Sequence, residues 1–122
     1  MRYVRIYADA GGASHFEDVE LAASTRQLAS GVPALAVAGP LPAAELMFLE
    51  QSGDSSGWER HVTASPRWIV VLEGQFDRVV SDGERRSFGP GDVVLREDTT
   101  GEGSLTIPVS DRVRFLMIPT GD

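Results

Sequence analysis

Cysteine, lysine and asparagine are all missing from this chain, and histidine occurs only twice, as His15 and His61. Without cysteine there is no disulfide, no thiolate metal site and no thiol nucleophile. Without lysine no side-chain amine is available for Schiff-base chemistry, and all eleven basic residues are arginine. No apolar run reaches the roughly 18 residues that a membrane span requires. The segment Met1–Asp9 lacks the apolar stretch of a signal peptide. The expected location is therefore the cytoplasm, with no membrane partner. Positive charge is also short. The formal net charge is −7, with acids spread along the chain, which repels phosphate backbones and argues against a nucleic-acid partner.

What remains reads as one β-rich unit spanning 1–122, with 42% apolar residues. Residues 2–7 alternate polar and apolar, as does His15–Leu21, so the two predict a strand pair across the Ala10–Ser14 turn. Residues 22–31 predict a short helical turn. Residues 32–42, with three prolines, predict an extended connector. Residues 1–42 thus form an N-terminal arm and connector, and 43–118 form a barrel. Strands are expected at 45–51, 58–63, 67–72, 75–81, 93–95, 105–108 and 112–118. Glu73-Gly74 is read as the tight turn of a 67–81 hairpin. Asp82-Gly83 and Pro90-Gly91-Asp92 are read as the turns of the next two.

Folding 67–81 about Glu73-Gly74 gathers Arg67, Ile69, Val71, Phe76, Arg78 and Val80 on one face. Trp68, Val70, Leu72 and Val79 gather on the other. Both faces are largely apolar. One fills a core, and the other needs a second sheet, the arm or another subunit, so a homodimer is expected.

Two segments carry a family resemblance. Arg67-Trp68-Ile69-Val70-Val71-Leu72-Glu73-Gly74 and Gly83–Leu95, with its Phe88-Gly89-Pro90-Gly91-Asp92 turn, resemble the paired motifs of the small bacterial cupins. The resemblance covers 45–118 and implies an all-β, cupin-like barrel of the double-stranded β-helix or jelly-roll type. It also implies a metal on two or three histidines and a glutamate. Here those positions are His61, Thr63 and Arg67, and the stretch after the second motif, Glu97–Ser104, has no histidine. A cation in place of the glutamate repels a metal ion. No metal and no cofactor is expected, the residual alternative being an oxygen-only site built from Glu50, Glu97, Asp98 or Glu102.

The candidate chemistry follows from that loss. His61 holds a position that points into the barrel, and imidazole is the side-chain type suited to acid–base work near neutral pH, so it is the candidate acid or base. Glu50 and Glu102 are its candidate carboxylate partners. Arg67 and Arg78, on the inward face, are candidate clamps for an anionic or enolate-forming substrate. Thr63, Ser104, Trp68, Phe48, Phe76 and Phe115 complete the candidate substrate-binding set. The implied function is metal-independent isomerisation, cyclisation or dehydration of a small metabolite, natural-product tailoring included. The alternative is a non-catalytic binding or structural module. Gly53-Asp54-Ser55-Ser56-Gly57 fits the G-x-S-x-G nucleophile pattern but lies between strands, without the helix that motif needs.

Overall fold

Alternation of apolar and polar side chains builds nearly every regular element of the computed structural model, which describes residues 1–122 and contains eleven strands and no helix. They are β1 (Arg2–Ala8), β2 (Ser14–Glu20), β3 (Ser24–Arg26), β4 (Leu35–Val37), β5 (Met47–Ser52), β6 (Arg67–Glu73), β7 (Phe76–Val80), β8 (Arg85–Phe88), β9 (Val93–Arg96), β10 (Ser104–Pro108) and β11 (Arg112–Pro119). No helix of the chain is long and apolar enough to cross a membrane.

One sheet has six strands in the order β2-β1-β9-β6-β11-β5, and the other has three in the order β10-β7-β8. The chain changes sheet between β6 and β7, β8 and β9, β9 and β10, and β10 and β11. A single bridge from His61 to Ser104 sets the 58–63 segment beside β10. That gives a double-sheet jelly roll, with four strands (β5, β11, β6, β9) facing β10, β7, β8 and the His61 segment. The two sheets stay open at their edges and do not close into a barrel.

Several local expectations give way to this topology. Glu73-Gly74 is not a hairpin turn. β6 pairs with β9 and β11, whereas β7 pairs with β8 and β10, so the turn arches from one sheet to the other. Gly74 is required there: its φ is +82°, and a Cβ would run into the Arg112 carbonyl. Pro90-Gly91-Asp92 is likewise a crossover, between β8 and β9. The inward face nevertheless came out as read, because an arch turns the same set of side chains inward that a hairpin puts on one face. Ile69, Val71, Phe76 and Val80 join Ile6, Phe16, Phe88, Val94 and Val113 in the buried core. Burying each such side chain is worth roughly 1.5–3 kcal/mol.

The N-terminal strands are part of the main sheet. β1 pairs antiparallel with β2, as expected, with Ile6 opposite Phe16, and parallel with β9. No helix forms at 22–31. Ser24–Arg26 pairs instead with Leu35–Val37, because Gly31 and Pro33 break the segment before a helical face can be buried. The expected strand at 58–63 shrinks to the His61–Ser104 bridge.

His15 ties the two sheets together. Its Nε2 lies 2.6 Å from Asp9 Oδ2 and its Nδ1 2.8 Å from Asp82 Oδ2, in the β7–β8 turn. Hydrogen bonding to Asp9, then to Asp82, raises its pKa above 6.5. Asp9 is lowered from 3.8 mainly by the bond to His15, and Asp82 mainly by the Glu84 backbone N–H. A raised histidine pKa stabilises fully below 6.5 and loses that contribution as pH rises through the folded value. The lowered aspartates contribute above 3.8 and lose theirs as pH falls through their folded values. The urea midpoint is therefore expected to fall as pH rises above 6.5, and the fall should vanish in His15→Gln. An equal fall in the variant would remove His15 from this role.

Candidate functional site

Between the sheets lies a cavity of about 80 Å³. Its walls are Ile69, Phe76, Phe115, Met117 and Trp58, and its polar groups are Arg78, Arg96, His61, Gln51 and Thr106. No carboxylate lines it.

Each polar group arrives by strand parity. On β5, Met47, Leu49 and Gln51 turn inward and Phe48, Glu50 and Ser52 outward. On β7, Phe76, Arg78 and Val80 turn inward. On β9 the run Val94, Arg96 continues past the strand end to Asp98, and all three are buried. Arg96 and Asp98 form a two-point pair, with Nε to Oδ1 at 3.1 Å and Nη2 to Oδ2 at 2.8 Å, their side chains 5% and 0% exposed. Arg96 Nη2 also donates to the His61 carbonyl at 3.1 Å.

Arg78 is buried without such a partner. Its Nε donates to Ser104 Oγ at 3.2 Å and its Nη1 to Thr106 Oγ1 at 2.8 Å. Its Nη2 donates to no protein acceptor. Burial, and after it repulsion by Arg96, push the guanidinium down to about 9 against the weaker pull of Asp98. It is still charged at neutral pH. Two positive charges against the single negative charge of Asp98 leave one uncompensated positive charge beside the cavity.

His61 sits at the mouth. Its Nδ1 lies 2.9 Å from the Glu59 carbonyl, which fixes the proton on Nδ1. Its Nε2 lone pair then faces Arg96 Nη1 at 3.4 Å, and its ring lies 6.2 Å from that of Trp58. Gly103 permits this approach: with φ at +73°, a Cβ there would overlap the His61 carbonyl.

The structure brings together His61, Arg78, Phe76 and Phe115 from the candidate set, with Ser104 behind Arg78. It does not bring in the two glutamates. Glu50 points outward and pairs with Arg114 at 2.8 Å, a contact that lowers its pKa. Glu102 is exposed and pairs with Arg60 at 3.4 Å. Phe48, 76% exposed, and Trp68, packed edge-on against Tyr3, lie on the outer face of the six-stranded sheet. Thr63 is buried but donates to the Ser65 carbonyl. Arg67 is held by Ser65 and reaches Met117 Sδ at 3.1 Å, at the cavity wall rather than in it. Sequence reasoning overlooked Arg96 and Gln51 and treated Asp98 only as an oxygen ligand. Period-2 parity from Val94 would have placed Arg96 and Asp98.

The metal that the resemblance implies does not fit these residues. The matching positions offer one imidazole whose free nitrogen faces a guanidinium, one hydroxyl turned to a carbonyl, and one arginine. No group of three or more His, Asp and Glu side chains is arranged to hold an ion.

Fold and site together define an all-β jelly roll with a small, positively charged interior. The chain matches no protein-family model and no curated protein. Among solved structures it is similar to one from Salmonella typhimurium LT2, provisionally described as ethanolamine utilization protein Q. That match has 14% identity and a TM-score of 0.48, and covers 100% of this chain and 98% of the other.

Proposed function

We propose that this protein binds a small organic anion between its sheets, with Arg78 as the counter-charge. The observation that carries the reading is a guanidinium 4% exposed, facing a cavity, with no carboxylate partner and one nitrogen without a hydrogen bond. Burying an unpaired charge is costly, and an anion arriving in the cavity offsets that cost. Arg96 cannot take the role because Asp98 already neutralises it.

Binding is favoured over acid–base turnover because His61 is the one imidazole in the cavity, no carboxylate lines it, and the His61 Nε2 lone pair is engaged by Arg96. A proton shuttle needs a second titratable group in reach, and Glu50 and Glu102 lie outside. The net charge of −7 disfavours approach of an anion at long range, so the attraction is local and moderate salt assists entry.

The test is calorimetry with acetate in chloride-free buffer at neutral pH. One site per chain is expected, and the melting temperature should rise by on the order of 10 °C at a hundredfold excess over Kd. No heat and no shift with acetate, phosphate or benzoate would remove the proposal.

A further inference from the structure

The cavity also constrains what the anion is. Resting on the anion-binding reading, we infer that the occupant is a short-chain aliphatic monocarboxylate of about two to three carbons. Three observations lead there, and they are independent of one another.

The first is size. The cavity is about 80 Å³, whereas an apolar cavity that accepts benzene is about 150 Å³. An aromatic or sugar acid does not fit between Phe76, Phe115 and Met117, but a short aliphatic acid does. The second is charge. One positive charge is left after the Arg96–Asp98 pair is counted, enough for a monoanion. A dianion such as phosphate or sulfate brings a second negative charge into a site with nothing to balance it, and faces Asp98 behind Arg96.

The third is the pattern of donors. Gln51 Nε2 is buried, has no hydrogen-bond partner, and belongs to a residue that lines the same cavity. Arg78 Nη2 is the other unengaged donor. A carboxylate has two oxygens in one plane and accepts from both groups at once. A halide can accept from the same donors but leaves the apolar end of the cavity unfilled, so it is the weaker occupant. The rest of the wall is Ile69, Phe76, Phe115 and Met117, which suits an alkyl tail. The ligand therefore lies with its carboxylate against Arg78 and Gln51 and its tail among the phenyl rings.

The experiment is a calorimetric series on the full chain with formate, acetate, propionate, butyrate, benzoate, phosphate and sulfate. Affinity should rise from formate to propionate and fall at butyrate, which is about as bulky as benzene. Benzoate, phosphate and sulfate should bind at least about tenfold more weakly. Gln51→Leu removes a buried unpaired amide, so it should fold as well as the wild type while weakening propionate about tenfold. Phosphate or benzoate binding as tightly as propionate would overturn the inference while leaving the anion site in place. An unchanged propionate affinity in Gln51→Leu would also overturn it. Silence from every anion would remove both this inference and the reading on which it rests.

Discussion

Arg78→Met is expected to give a more stable protein that no longer binds carboxylates. The guanidinium is buried and its pKa is pushed down to about 9, chiefly by desolvation. For a depressed pKa the contribution to stability is fully present only above the unfolded value and is lost as pH falls through the folded one. At neutral pH Arg78 therefore costs stability. Methionine fills similar volume without the charge, and replacing buried charge by packed apolar groups is often stabilising, here by about 2 kcal/mol. Ser104 Oγ retains Asp98 and Arg96 within 3.4 Å as hydrogen-bond partners. Urea unfolding near neutral pH and calorimetry with acetate measure both halves of the expectation. A variant destabilised by more than about 1 kcal/mol would mean that Arg78 is a strut for Ser104 and Thr106 rather than a waiting counter-charge.

Asp98→Asn should have the opposite sign and a larger size. Asp98 is fully buried and is the one carboxylate that meets Arg96. Removing its charge leaves Arg96 and Arg78 facing each other without compensation, which costs about 3–5 kcal/mol. Two controls separate this from simple misfolding. Adding Arg96→Met to Asp98→Asn removes the orphaned charge and should restore most of the loss. Acetate should also stabilise Asp98→Asn more than it stabilises the wild type. If the double variant is no better than the single one, Asp98 acts through its shape and backbone contacts and not through its charge.

The residues that the sequence made legible are those governed by parity. Ile69, Val71, Phe76, Arg78 and Val80 could be assigned to one face because a period of two survives any turn between the strands. The turn itself was not legible. A glycine with positive φ serves a hairpin and an arch equally, and the choice at Gly74 depends on β9, β10 and β11, far away in the chain. Glu50 was misplaced because Leu46–Leu49 is apolar on both sides, so nothing local marks which side faces the core; Gln51 turned out to be the inward residue. Arg96 and Asp98 were readable in principle, as every second residue after buried Val94. They carry no signal at the histidine and glutamate spacing of a metal site, and the polar interior is built from arginines instead.

The central claim is that a monocarboxylate sits beside Arg78 between the sheets, and nuclear Overhauser contacts from bound, isotope-labelled propionate test it most directly. Contacts from the ligand methyl to the ring protons of Phe76 and Phe115, absent in Arg78→Met, are the predicted result. Contacts to Phe48 and Leu72 on the outer face, or contacts that persist in Arg78→Met, would contradict it.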